Sequence, residues 1–463
     1  MSINVSIIIP MLNVAKYIGE CLSSVVNSTM KEIEIICVDA GSTDGTIDIL
    51  NDYSECDNRI RIIKSQRKSY GEQVNIGIKN AKGRYIGFVD GDDFVDTNMW
   101  KKLYDTAELN DFPDYVKADH DMFINIQGER VYKKVSTFDE IKKQYYNRVL
   151  NPKNIPHLLV IDTYMWKGIY KKEFLDNNHI VLNCSEGAAY QDCGFLFQTI
   201  NSANRVVYIP DSLYRYRRDN ENASIYDYRG IEYVYQEFKY IYEIASKYKN
   251  VNSEVFFNYY KRYYKMLEFR IEFATRNHLK YEAVKVLLEK IREDFIEGYR
   301  NNQIRREYFT QAQWINVCQL IESAEKYYEY HLFMSKIKDE ETRNFILECR
   351  QYKKIVIFGA GNCGGTLLYH LKNASIADKI VGWCDNDVNK KGKKYMGLDI
   401  FSLDDLLANK NDEYTFIITA GVFWMSIKSQ LLDNGISPSN IVLYTLGHDP
   451  LDVGRGNGKQ KED

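Results

Sequence analysis

The chain has 463 residues, 45% of them apolar and 27% charged, with a formal net charge of −3. That length predicts about three domains, and the interspersed charge of both signs gives no argument for a nucleic-acid partner. No run approaches the ~18 apolar residues of a membrane helix, the first ten residues lack a basic leader, and the nine cysteines include no CxxC pair. Free thiols in a reducing cytoplasm are therefore expected. Tyrosine (37) outnumbers phenylalanine (21), so much aromatic surface carries a hydroxyl able to meet water or a polar ligand.

In chain order, Val5–Ile9 is a short apolar run closed by Pro10, and Ala15–Val26 repeats Ile18, Cys21, Leu22 and Val25 at helical spacing. Ile33–Val38 is again β-branched, followed by the turn cluster Asp39–Gly45. Ile60–Ile63, a helix around Gln73–Ala81 and a strand at Tyr85–Val89 continue the alternation. The pattern predicts a parallel sheet covered by helices, in which ligands bind beyond the carboxyl ends of the strands. Asn13, Asp39, the Gln66–Tyr70 stretch, Asp90, Asp92 and Asp93 all fall there.

From about 225 to 350 the chain is poor in Gly and Pro and helical in period. Phe256, Tyr260, Tyr263, Leu267 and Ile271 form one stripe, and Val284, Leu287, Leu288, Ile291 and Phe295 another. Such stripes read as core, with acceptor binding or a homodimer contact as the alternatives. Beyond Lys353 the α/β signal returns, with strands at Lys354–Phe358, Ile380–Cys384, Thr415–Thr419 and Ile441–Tyr444, a glycine turn at Gly359–Gly365 and a helix starting over Thr366–Leu371. The expected architecture is α/β, with domains at 1–225 and 351–447, a helical region at 226–350 and a disordered polar tail at 448–463.

Asp90-Gly91-Asp92-Asp93 follows a strand directly. Two carboxylates two residues apart suit Mg²⁺ or Mn²⁺, which takes one or two carboxylates plus phosphate oxygens. Gly91 between them lets the backbone come near a ligand. Alone, such a cluster is more often a turn with Asx hydrogen bonds or a helix cap. Asp39 to Thr46 has the same ambiguity: Ser42 or Asp44 can cap the helix that starts at Thr46, whereas Asp39 at the strand end is placed to accept from a base or ribose.

Taken together, Ser6–Asn13, Asp39–Thr46 and Phe88–Asp93 resemble the family 2 glycosyltransferases of GT-A fold, in order and spacing, over about the first 220 residues. The resemblance implies a UDP-sugar donor, a divalent metal and a glycan, lipid-linked or protein acceptor, with an enzyme acting in the cytoplasm or peripherally at the membrane. It implies that Asp39 contacts uracil and that Asp90, Asp92 and Asp93 hold ribose, metal and diphosphate. Pro10, Asn13, Ser42, Gln66, Tyr70, Gly71, Asn75 and Gly91 fall in the donor motifs. Tyr190–Phe195 resembles the segment carrying the general base of an inverting transfer, which makes Asp192 the base; read without the family, Asp192 is a helix cap. Gln191 stands where the family has Glu, Ala40 where it has a second Asp, and Val74 where many members carry Arg. Trp166 is expected to stack on an acceptor sugar or to pack in the core. Arg217 or Arg218 is expected to bind the diphosphate.

Gly359, Gly361 and Gly364 match GxGxxG between a strand and a helix, and Asp385 closes the next strand at about the spacing of a ribose-binding acid. This resembles the Rossmann-like domains attached to bacterial polysaccharide-biosynthesis proteins, as a second nucleotide site or as an assembly module that keeps the glycines for packing. Two further readings compete with the transferase: a catalytically silent nucleotide-sugar-binding scaffold, suggested by Gln191 and Ala40, and an NAD(P)-linked oxidoreductase or epimerase built on the second glycine loop.

Overall fold

The computed structural model describes residues 2–126, 129–138, 140–155, 157–248, 254–374, 376–408, 413–420 and 423–444. The tail expected to be disordered lies outside them. The chain divides into two compact units, Met1–Phe123 with Lys133–Glu329, and Ile124–Tyr132 with Tyr330–Asp463.

The first unit begins with β1 (Val5–Met11), α1 (Ala15–Val26), β2 (Ile33–Asp39), α2 (Thr46–Cys56), β3 (Ile60–Lys64), α3 (Tyr70–Asn80) and β4 (Tyr85–Phe88). These strands pair in parallel in the order β3-β2-β1-β4. Every position of β1 and β2 is buried, so their sequences read as continuous apolar runs. Pro10 is tolerated mid-sheet because β4 leaves β1 after the Ile8–Phe88 pair, so no partner there needs its missing N–H. Gly77 lets α3 lie directly on β1, since a Cβ there would meet the Ile8 side chain at 2.4 Å.

β5 (Phe94–Val95), α4 (Met99–Leu109), β6 (Tyr115–Ile126), β7 (Glu129–Val135), α5 (Leu158–Ile161), β8 (Gly168–Lys171), α6 (Lys172–Asn177), α7 (Gln191–Ser202) and β9 (Val206–Arg217) follow. They extend the sheet to β3-β2-β1-β4-β8-β6-β9-β5, with β7 beside β6. Here β8 runs antiparallel to both neighbours, and β6 and β9 are parallel. β6 buries Lys117, Asp119 and His120. Lys117 reaches Asp162 at 2.6 Å and Lys167 reaches it at 3.0 Å, while Tyr208 donates to the same carboxylate. Burial pushes the Asp162 carboxyl upward, but the two ammonium groups outweigh it and hold the acid down to about 2.

Next come α8 (Gly230–Ala245), α9 (Val255–Arg276), α10 (Tyr281–Arg300), α11 (Gln311–Glu322) and α12 (Ala324–Cys349). The aromatic stripes of α8 to α10 form core, continuous with the sheet's own: Tyr260, Tyr263, Leu267 and Phe295 are buried in one cluster with it, and Phe238 stacks on Tyr263 at 4.5 Å. No helix among the described residues is long and apolar enough to cross a membrane. None of the nine cysteines forms a disulfide among the described residues.

The second unit carries β10 (Lys354–Phe358), α13 (Asn362–Asn373), β11 (Ile380–Cys384), β12 (Lys394–Tyr395), β13 (Leu398–Phe401), α14 (Leu403–Ala408), β14 (Tyr414–Ile418), α15 (Trp424–Asp433) and β15 (Ile441–Leu443). The sheet runs β12-β13-β11-β10-β14-β15, parallel except for β12. Leaving out β12, the five strands stand in the 3-2-1-4-5 sequence of a doubly wound sheet.

Candidate active site

Asp39, Asn13 and Asp90 lie where the parallel strands end. The Asp39 carboxylate, 1% exposed, accepts from the Gly41 N–H at 2.8 Å and from the Ser42 N–H and hydroxyl. Asn13, at φ 54°, accepts from the Thr43 N–H at 2.8 Å, and its own N–H donates to Ser42 Oγ at 2.9 Å. The loop after β1 is thereby stitched to the loop after β2. Asp44 accepts from the Ala15 N–H at the start of α1 and from Thr46 at the start of α2, the capping role the sequence suggests. Gln73, which the sequence reading passed over, is buried in α3 and donates to the carbonyls of Met11 and Val38, both at 2.7 Å. Gln66 is exposed just beyond β3.

The Asp90–Asp93 loop is held from α3 and from β9. The Tyr70 hydroxyl donates to Asp90 Oδ1 at 2.9 Å. The Tyr214 hydroxyl accepts from the Asp90 N–H and donates to Asp93 Oδ2 at 2.8 Å, and the Arg217 N–H donates to Asp93 Oδ1 at 2.7 Å. Both Asp93 oxygens are engaged in fastening β9 to the loop. Asn220 donates to Asp92 Oδ2 at 2.7 Å. Gly91 packs tightly on β1, where a Cβ would meet Val14 at 3.1 Å. No Lys or Arg among the described residues ion-pairs with Asp90, Asp92, Asp93 or Asp192, and Oδ2 of Asp90 and Oδ1 of Asp92 accept no hydrogen bond from described residues. Burial, with the Asp92 and Asp192 charges, pushes the Asp90 carboxyl up to about 7 against the Tyr70 hydrogen bond. The Asp192 charge also adds to the upward push on the Tyr70 phenol. The Asp192 charge is therefore felt at both Asp90 and Tyr70.

Asp192 is the second residue of α7, whose N-cap Tyr190 is left-handed (φ 72°) and supplies no side-chain cap. Burial raises the Asp192 carboxyl above the usual carboxylate range, opposed first by the Arg262 guanidinium. The missing cap comes from α8: Glu237, 1% exposed, accepts from the Gly194 N–H at 2.9 Å and from Asn183 Nδ2 at 3.0 Å. A glutamate in the middle of a helical stripe carries no sequence signal for this role.

Three comparisons bear on this arrangement. A family described as "Glycosyl transferase family 2" matches residues 6–172. Glycosyltransferase GlyG of Streptococcus pneumoniae is 30% identical over 226 residues, 47% of this chain and 72% of GlyG. The chain belongs to the family 2 glycosyltransferases. EpsJ of Bacillus subtilis, described as an uncharacterized glycosyltransferase, is 32% identical over 228 residues, but the match spans 62% of EpsJ and 47% of this chain. In fold, S. aureus TarS 1-349 in complex with UDP-GlcNAc superposes with a TM-score of 0.56 at 18% identity, over 73% of this chain and 92% of that one. A second family, "C2185-like, N-terminal", matches residues 351–442.

Several residues that the motifs of this family 2 member single out have partners within the fold. Trp166 is 4% exposed and stacks with Tyr214 at 3.9 Å and with Tyr164 at 4.6 Å. Arg217 is buried, its Nε donating to the Asp92 carbonyl and its Nη2 to Glu20; it braces the acidic loop. Arg218 is half-buried against the Tyr216 ring and hydroxyl. Gln191 donates to Ser185 and toward the Gly187 carbonyl. Asn75 grips the Leu182 backbone in both directions, and Gly71 lies against the Asn183 carbonyl, where a Cβ would stand at 1.9 Å. All three fasten the 182–187 loop.

In the second unit Asp385 accepts from the N–H groups of Ala360 and Asp387 and from Lys390 Nζ, at 2.8–2.9 Å. Lys390 also donates to the Ala360 carbonyl. Gly364 is a close-packing position, where a Cβ would lie 2.4 Å from the Gly359 carbonyl. Gly361 has open space around it.

Proposed function

We propose that the first unit transfers a hexose or N-acetylhexosamine from a UDP-sugar to a hydroxyl of a glycan, glycolipid or glycoprotein, with inversion and with Asp192 as general base. The observation that supports this reading is the acidic loop of a family 2 chain, Asp90 held by Tyr70 and Asp92 by Asn220, with no Lys or Arg ion pair to Asp90 or Asp92 among the described residues and with the Asp192 charge felt at Asp90. Asp192 takes the acceptor hydroxyl proton, the freed oxygen forms the new bond to the anomeric carbon, and UDP departs with the electrons of the broken bond. Partial burial keeps Asp192 a stronger base than a solvated carboxylate.

Among the described residues no three His, Cys, Asp or Glu side chains gather as a metal site. Asp90 and Asp92 each keep one oxygen that accepts no hydrogen bond among the described residues, and two carboxylates plus phosphate oxygens are what Mg²⁺ or Mn²⁺ takes from a protein that binds it through substrate. When bound, such an ion supplies positive charge for the departing diphosphate. Tyr70, Tyr214, Arg217 and Asn220 hold the loop that presents these acids. The turn Asp39–Thr43, set rigidly by Asp39 and Asn13, is the proposed nucleoside contact. TarS, of like fold, is described with UDP-GlcNAc, which supports a UDP-sugar as the donor.

The test is donor turnover by the full chain across a panel of UDP-sugars, with Mn²⁺, with Mg²⁺ and with chelator. Metal-dependent release of UDP from one donor is the expected result. UDP binding without release from any donor would instead favour a silent scaffold.

A further inference from the structure

We infer that Glu237 is a positioning residue for the proposed base, fixing the first turn of α7 from α8 and so setting where Asp192 stands. The inference rests on the transferase reading of the same site. A helix start leaves its first N–H groups without intrahelical partners, and α7 has no local side-chain cap. Glu237, 43 residues after Gly194, takes the Gly194 N–H on one oxygen and the Asn183 amide on the other. Gly194 is not a positive-φ glycine, so its backbone does not require glycine. In a helix it costs about 1 kcal/mol relative to alanine. The missing Cβ leaves room for the close approach of Glu237, whose Oε1 would lie 2.4 Å from a Cβ at this position.

The second anchor ties the base to the donor side. Asn183 belongs to the loop that Asn75 and Gln191 fasten, and its carbonyl lies on Gly71 at the start of α3. The preceding residue, Tyr70, holds Asp90 and also donates its N–H to Gly187 of that loop. Glu237 therefore grips both the helix that carries Asp192 and the loop packed on the helix that steadies Asp90. With Gln191 in place of an acid, Glu237 is the carboxylate that sits beside the α7 start.

Two neighbouring carboxylates divide their roles by environment. Burial pushes Glu237 up to about 8, against the Asn183 and Gly194 hydrogen bonds and helped by the Asp192 charge. The other titratable groups facing it are Cys193 on α7 and Tyr240 on its own helix, both neutral near pH 7. There Glu237 holds a proton; a half-turn of the Asn183 amide satisfies either form of Glu237. Above that point two buried negative charges repel at one helix end.

The experiment compares full-length wild type, Glu237→Gln, Glu237→Ala and Asp192→Asn, reading kcat and donor KM from pH 6 to 9.5 and UDP affinity by calorimetry. Glu237→Ala is expected to lower kcat about 10–100-fold, with donor KM and UDP affinity within about twofold, because misplacement rather than binding is what it causes. Glu237→Gln still accepts from Gly194 and is expected within about fivefold of wild type at pH 7, but without the wild-type fall in kcat near pH 8. An unchanged kcat in Glu237→Ala, or an alkaline fall that persists in Glu237→Gln, overturns the inference.

A readout free of turnover is the melting temperature against pH. Glu237 is protonated in both folded and unfolded chains below 4.5; between 4.5 and about 8 only the unfolded chain releases the proton, so stability falls as pH rises through that window. The fall is expected to be shallower in Glu237→Gln, and an identical slope counts against it. Full turnover by Asp192→Asn would remove the base reading instead and leave this slope difference intact, so the two failures are distinguishable.

Discussion

The two sheets of this chain each place an acid just past a parallel strand, and the two acids have different fates. In the first unit Asp90 is answered by a phenol hydroxyl and Asp92 by an amide, with like charges nearby raising Asp90. In the second unit Asp385 is answered by two backbone N–H groups and an ammonium. The first arrangement has no ion-paired cation among the described residues; in the second, Asp385 is ion-paired to Lys390 and joined to the Ala360 N–H. Strand-end position is common to both, so the partner set is what separates a candidate reaction centre from a structural acid.

That contrast is broken most severely at Asp192. Asp192→Asn removes the proton acceptor while keeping shape, and a positioned base contributes about 10²–10⁴-fold. Initial rates are expected to fall by that factor with UDP affinity within about twofold. Activity near wild type would transfer the base role elsewhere. Within the same unit, Asp162 is the counter-example of an acid with both cations in place. Asp162→Ala would leave Lys117 and Lys167 buried without their counter-charge, at a cost of about 3–5 kcal/mol. Urea unfolding measures it, and a loss under about 1 kcal/mol would mean that the cavity rehydrates.

The parallel half of the first sheet was readable because β1, β2 and β4 are continuous apolar runs between helices of clear period, and the expected α1 has the observed limits. β6 escaped because Lys117, Asp119 and His120 interrupt its apolar run, and only their burial against Asp162, Tyr146 and the aromatic layer makes it a core strand. The acidic motifs were visible, but their second partners were not: Tyr214, Asn220 and Glu237 act on residues 43 to 128 positions away, and no local pattern encodes such distances. Trp166 allowed two readings, a sugar platform or core packing, and its burial and its stacking on Tyr164 and Tyr214 depend on residues that no local pattern links to it.

A milder perturbation of the first unit is Arg217→Lys. Lysine keeps the charge but loses the fork that joins the Asp92 carbonyl to Glu20. Loss of one charge-assisted hydrogen bond, about 1.5 kcal/mol, corresponds to roughly a tenfold weaker donor KM if the loop must be preformed for the diphosphate. A change confined to kcat would place Arg217 outside donor binding.

The smallest effect is expected at Asp385, and it sharpens the comparison from the other side. Asp385→Asn retains an acceptor for the Ala360 N–H but forfeits the Lys390 ion pair, which is partly solvent-exposed, so about 1 kcal/mol or less is at stake. UDP-sugar turnover is expected to be unchanged, and limited proteolysis at the Gly359–Gly364 loop to quicken modestly. A nucleotide-binding role for this loop predicts something else: Asp385→Asn would alter the affinity of an added dinucleotide or UDP-sugar for a chain in which Asp192→Asn has already silenced transfer. Calorimetry on that double variant against Asp192→Asn alone decides whether the second glycine loop is a clasp or a site. An unchanged affinity leaves Asp385 with the structural duty that Ala360, Asp387 and Lys390 already describe.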